Sequence, residues 1–165
     1  MAKKTHLNSQ KSDKPEVRPI CENRKARHKF DVLDTLECGL ELVGSEVKSL
    51  RAGRISLDEA YGRVREQEVW LIGCDIPEYP QATIWNHLPK RPRKLLLHRR
   101  ELRKFAGQAH EKGLTLVPLK LYFNERGVAK VLLGLCRGKQ MHDKRETIKK
   151  ADVQRGLARM MRGRK

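Results

Sequence analysis

Aromatic residues are scarce: two Trp, three Tyr and three Phe make up 5% of the 165 residues. So few rings leave no obvious stacking platform of the kind that single-strand readers use, and Tyr61, Trp70, Tyr79, Trp85, Tyr122 and Phe123 read as core or loop anchors. No apolar run comes near the roughly 20 residues a membrane-spanning helix needs. The first ten residues are polar and lysine-containing, without the apolar centre of a signal peptide, so the cytoplasm is the expected location. Cys21, Cys38, Cys74 and Cys136 stand 17, 36 and 62 residues apart. None forms the closely spaced pair that zinc sites use, so reduced thiols are expected, with no metal and no cofactor. The six histidines are scattered, and no Ser, His and Asp set is recognisable from spacing.

Acidic residues are also outnumbered, 20 Asp and Glu against 37 Lys and Arg, which leaves a formal charge of +17. Such an excess repels itself in a compact chain and points to a polyanionic partner. The charge is uneven. Residues 137–165 hold eleven Lys and Arg against three acids, whereas residues 23–136 hold 21 against 14. The last segment therefore reads as a basic tail, disordered until a polyanion neutralises it. Residues 1–22 are low in apolar content and read as a flexible arm.

Between them, residues 23–136 show the periodicities of one small domain. Phe30, Val32 and Leu36 alternate, as do Leu40 and Leu42 beyond a break at Gly39, predicting two strands with a bend. A short helix is expected after a Ser45 cap, with Val47 and Leu50 on one face and Gly53 past its end. Ala60 to Arg65 and Val69 to Ile76 read as strands joined at Glu66-Gln67, followed by a proline-rich loop. Leu102, Phe105, Ala106 and Ala109 mark a helix that runs to Gly113, weakened by Gly107. Val117 to Phe123 and Ala129 to Leu135 alternate on either side of an Asn124–Gly127 turn, a hairpin in which Pro118 must sit at an edge or bulge. The expected fold class is mainly β: a small antiparallel barrel of about six strands, of the oligonucleotide-binding type, with flanking helices. A sandwich satisfies the same pattern.

For catalysis the signals are weak. Gly134 to Lys139 falls one residue short of a phosphate-binding loop, and Gln140 replaces its Ser or Thr. His87 and His98 flank a basic loop, as acid–base cleavage of RNA would require, but two unrelated histidines are the plainer reading. The signals for binding are stronger. Asn23-Arg24-Lys25-Ala26-Arg27-His28-Lys29 places four cations and a histidine in seven residues, and Lys90-Arg91-Pro92-Arg93-Lys94 repeats the density. Arg99, Arg100, Arg103 and Lys104 extend the second run away from the apolar helix face. Two such runs and a basic tail favour nucleic acid, since phosphates supply most sequence-independent affinity. A structural ribosomal protein is the alternative.

Five ordered blocks between Asn23 and Met161 resemble one family, the SsrA-binding proteins (SmpB). They are Asn23-Arg24-Lys25-Ala26 with His28; Gly39-x-x-Leu42-x-Gly44-x-Glu46-Val47-Lys48-Ser49-Leu50-Arg51-x-Gly53; Arg91 to His98; Thr115 to Tyr122; and Gly138-Lys139-x-x-His142-Asp143-Lys144-Arg145. The resemblance implies a non-enzymatic protein that binds the tRNA-like domain of transfer-messenger RNA. It further implies delivery, with elongation factor Tu, to stalled ribosomes for trans-translation. By position it puts the RNA contacts at Asn23, Arg24, Lys25, Arg27, His28, Glu37, Lys48, Arg51, Arg93, Lys94, Leu95, Leu96 and Leu97. Cations would meet phosphates there, and Asn23 and Glu37 would bond bases or 2′-hydroxyls. The tail contacts implied are Gly138, Lys139, His142, Asp143, Lys144, Arg145, Met160 and Met161. They would act at the decoding centre and the message channel, with the tail becoming helical on the ribosome. Three departures stand out: Gln140 where the family usually has a second lysine, Val153 where an aromatic is common, and Gly156, which weakens the tail helix.

Overall fold

A computed structural model describes residues 19–82, 84–109 and 113–140, together with Val153, Arg155 and Met161. Among these residues the chain forms seven strands and three α-helices. The strands are β1 (Pro19–Glu22), β2 (Phe30–Leu40), β3 (Tyr61–Arg65), β4 (Glu68–Ile72), β5 (Arg93–Leu96), β6 (Leu114–Phe123) and β7 (Ala129–Gly138). The helices are α1 (Arg24–Lys29), α2 (Gly44–Arg51) and α3 (Arg99–Ala109). Every strand pairing is antiparallel, in the order β1-β6-β3-β4-β5-β2-β7, and β6 also pairs with β7. The six strands from β6 round to β7 therefore close into a ring. Among the described residues β1 lies outside this ring and pairs with β6 alone.

The local signals explain most of this. Glu66 and Gln67 take φ values of 47° and 59°, the left-handed pair that a tight hairpin turn between β3 and β4 requires. Pro118 lies where β6 passes from its β3 partner at Leu116 to its β1 partner at Lys120. A bulge against β7 falls at the same point, so the missing N–H is not needed. Gly62 is demanded by a close approach, because a Cβ there would come within 2.8 Å of Leu116 Cβ. Leu102, Phe105 and Ala109 of α3 pack onto the interior of the ring with Val69, Leu71, Leu121, Val131 and Leu133.

Four expectations are corrected. The arm does not extend to residue 22, since Pro19–Glu22 pairs with β6; residues 1–18 lie outside the described residues. Gly39 does not break β2, which runs unbroken through it and changes partner there from β7 to β5. The β7 strand reaches Gly138, and Lys139 bonds the α1 end through its own N–H to Lys29 O, so the folded domain does not stop at residue 136. Finally, α2 begins at Gly44, with Val43 as its cap residue: the Val43 N–H donates to Glu46 Oε2 at 2.9 Å, and Ser45 is engaged elsewhere.

Candidate RNA interface

The first basic run folds as α1 because Asn23 caps it. Asn23 Oδ1 accepts from Ala26 N–H at 2.9 Å, and its Nδ2 donates to Leu57 O at 2.9 Å. Asn23 is 3% exposed and both ends of its amide are satisfied. The expected RNA contact by Asn23 is thus corrected to a structural one that presents the residues after it. Arg24, Lys25, Arg27 and His28 are exposed, and Lys25 forms an ion pair with Asp58 at 2.5 Å. Arg24 and Arg27 meet no carboxylate among the described residues.

On α2, Lys48 and Arg51 are likewise exposed and without a carboxylate partner among the described residues, and Lys48 Nζ stands 5.4 Å from the centre of the Tyr79 ring. The opposite face of the helix buries Glu46, Ser49 and Leu50. Glu46 is the centre of a buried charge cluster. Arg93 Nε donates to its Oε1 at 2.9 Å, while Arg91 donates through Nε to Oε1 at 2.7 Å and through Nη2 to Oε2 at 2.6 Å. Burial pushes the Glu46 carboxyl up. The Arg91 hydrogen bonds, the Val43 N–H and the two guanidinium charges outweigh it and hold the group below its usual value.

This cluster corrects the largest expectation. Arg93 is 0% exposed, and its guanidinium also donates to Cys74 O, Arg91 O and Pro89 O at 2.6, 3.1 and 2.9 Å. It is not available to a phosphate. The reason is the period of two in β5: Arg93 and Leu95 point inward, whereas Lys94 and Leu96 point outward. Leu95, at 2% exposure, is core and also withdrawn from any RNA. Lys94 is half-buried and ion-paired with Glu68, Leu96 is 51% exposed, and Leu97 is half-buried.

The outward side of β5 continues across β2, β7 and β6. Leu96 pairs with Gly39, Gly39 with Lys130, and Lys130 with Tyr122. Glu37, two residues before Gly39, shares that face. It accepts a short hydrogen bond from Tyr122 Oη and meets Lys130 Nζ at 3.3 Å. The Tyr122 hydrogen bond holds the Glu37 carboxyl below its usual value, against a modest push from desolvation, and Lys130 adds to the lowering. Burial, helped by Glu37, pushes the Tyr122 hydroxyl up to about 12. Glu37 is therefore an ionised, exposed acceptor beside a phenol and an ammonium group. Tyr122 and Lys130 were missed as members of this group: the β6–β7 hairpin sets them opposite each other, but only the long-range pairing of β2 with β7 brings Glu37 beside them.

Both catalytic signals lose their geometry. His87 is 7% exposed; its Nε2 faces Ile76 O at 2.9 Å and its Nδ1 faces Ser45 Oγ at 2.9 Å. A ring so engaged serves the fold of the loop. Gly134 lies inside strand β7 and Lys139 directly follows it, so among the described residues this run is extended strand and not the loop that a phosphate-binding motif demands. Gly138 and Lys139 lie at the end of β7, and Lys139 Nζ meets Asp31 at 3.3 Å. His142, Asp143, Lys144, Arg145 and Met160 lie outside the described residues. Met161 is helical and 75% exposed.

The model of the family described as SmpB protein matches residues 20–163. The SsrA-binding protein of Rhodopirellula baltica is 57% identical over 152 residues, which cover 92% of this chain and 86% of that one. The SsrA-binding protein of Rhodopseudomonas palustris (strain BisB5) is 53% identical over 148 residues, 90% of this chain and 94% of that one. A chain of the solved structure "tmRNA-SmpB: a journey to the center of the bacterial ribosome" superposes with a TM-score of 0.65 at 49% identity, covering 79% of this chain and 95% of that chain. Matches of this extent, running over both α1 and α2 and the Glu37 face, leave one assignment: the chain belongs to the SmpB family of SsrA-binding proteins.

Proposed function

We propose that this protein binds the tRNA-like domain of transfer-messenger RNA and, with elongation factor Tu, carries it to stalled ribosomes for trans-translation in the cytoplasm. The observation that carries the reading is the 49% identity, in a match covering 79% of this chain, to a chain of the solved structure "tmRNA-SmpB: a journey to the center of the bacterial ribosome". It acts by binding and not by turnover. Arg24, Arg27, Lys48 and Arg51 are cations free to meet phosphates, and Lys25 can leave its exposed pair with Asp58 for one. His28 adds a donor beside them. The Glu37 carboxylate accepts from a base amine or a 2′-hydroxyl, with Lys94, Leu96 and Leu97 at its border.

The tail has a separate role. Ending the chain after Gln140 removes nine Lys and Arg and three acids and leaves every strand in place. This truncation should lower non-specific RNA affinity at low salt, keep binding to the tRNA-like domain, and abolish peptide tagging on stalled ribosomes. The tail contacts His142 to Arg145 and Met160-Met161 would then act at the decoding centre and in the message channel. Loss of binding to the tRNA-like domain at moderate salt would sink this division of labour.

A further inference from the structure

The loop between β4 and β5 is pinned along most of its length. Ile76 N–H bonds Pro89 O at 3.1 Å, Ser49 Oγ donates to Pro77 O at 2.8 Å, and His87 ties the loop to Ser45. Asn86 clasps Tyr79 from both sides, its Oδ1 accepting from Tyr79 N–H at 3.1 Å and its Nδ2 donating to Tyr79 O at 2.9 Å. Backbone bonds from Trp85 to Ala82 O and from Arg91 to Leu88 O fix the tip. Yet Ile84, Trp85 and Leu88 are 86%, 83% and 74% exposed. A loop held this firmly cannot fold such side chains inward, so it holds three large apolar groups in water. The anchor role expected for Trp85 from the sequence is therefore wrong.

What lies beside the tip identifies the occupant. The α2 helix is packed against this loop through Ser45 and Ser49, and its exposed cations Lys48 and Arg51 have no carboxylate partner among the described residues. An exposed indole on the same loop as Tyr79, whose ring centre lies 5.4 Å from Lys48 Nζ, matches a nucleotide: a flat π face for the base and positive charge for its phosphates. A protein partner would require a far larger patch, about 800 Å² per side.

Building on the RNA-binding reading above, we infer that Trp85 is a base-stacking residue for one unpaired nucleobase of the tRNA-like domain. Ile84 and Leu88 shield the edge of the stack from water, and Lys48 and Arg51 hold the flanking phosphates. The base must be unpaired, since a base within a helix offers no free face.

Trp70, half-buried in β4, is the other tryptophan, so a Trp70→Phe protein reports on Trp85 alone. Titrating it with the transcribed tRNA-like domain should quench the Trp85 emission in step with binding. Trp85→Ala in the full chain should weaken binding roughly 5- to 150-fold with the salt slope unchanged, and Trp85→Phe should recover most of the loss. Unquenched emission at saturation, or wild-type affinity in Trp85→Ala, would overturn the inference while leaving RNA binding itself intact. Quenching by elongation factor Tu alone, without RNA, would overturn it in favour of a protein contact. If the unaltered chain bound no tRNA-like domain at all, the proposed function would fail, and the stacking role with it.

Discussion

Replacing Arg93 by Ala should unfold the protein more readily without altering how its RNA affinity depends on salt. The side chain is 0% exposed and makes four hydrogen bonds, one to Glu46 and three to the carbonyls of Cys74, Arg91 and Pro89. Removing one partner of a buried ion pair costs about 3–5 kcal/mol, because the remaining charge is left uncompensated. Here Arg91 still holds both Glu46 oxygens and Pro89 O keeps the Ile76 N–H, which pulls the cost down, but the Cys74 carbonyl loses its Arg93 donor inside the fold, which raises it by about 1–3 kcal/mol. A net loss of about 4 kcal/mol is a large share of the roughly 5–15 kcal/mol that a domain has, and corresponds to a fall in Tm on the order of 10–20 °C. Circular dichroism melts and urea titrations measure the first effect; binding of the tRNA-like domain at several salt concentrations, below the melting range, measures the second. A phosphate contact would instead flatten the plot of log affinity against log salt by about 1 unit. If Arg93→Ala kept the parent Tm and showed that flattening, the buried placement of Arg93 would be refuted.

Asn23→Ala should cost about 1–2 kcal/mol in urea unfolding, by removing an N-cap and one donor to Leu57 O, which keeps the Ala60 N–H at 3.1 Å. Asn23→Ser, which keeps a cap acceptor and loses the Leu57 bond without burying a charge, should cost less; equal losses would show that the cap is idle. Lys48→Ala and Arg51→Ala should each reduce the salt slope of RNA binding by about 1 with little change in Tm, and an unchanged slope in both would remove α2 from the interface. The pH dependence follows from Glu46, whose folded-state carboxyl lies below its ordinary value near 4.5. Its contribution is present above that pH and is lost as the pH falls below it towards the folded-state value. Between pH 5 and 3, then, the parent should lose more stability than Glu46→Gln loses from its own lower starting point; parallel pH curves would contradict this.

The sequence alone determined whatever depends on near neighbours. The β6–β7 hairpin, the Glu66-Gln67 turn and the apolar face of α3 are written in alternation, turn chemistry and helical spacing, all of which act within a few residues. The basic character and the family landmarks were equally legible, since both are properties of the chain before it folds. Short elements were not. β1 and β5 have four residues each and α1 has six, too few for a period to show, and they persist only because longer elements receive them. Which cations face solvent was a tertiary decision. Arg93 and Lys94 are adjacent and both basic, but the pleat of β5 sends one inward, where a carboxylate 47 residues away in sequence compensates it, and leaves the other outside. The same holds for Glu37, which gains Tyr122 and Lys130 only when β2 and β6 close on β7, and for Trp85, which a web of backbone bonds holds in water. Composition shows how much charge and apolar surface a chain carries; only packing, through burial and long-range pairing, selects which of it remains free for a partner.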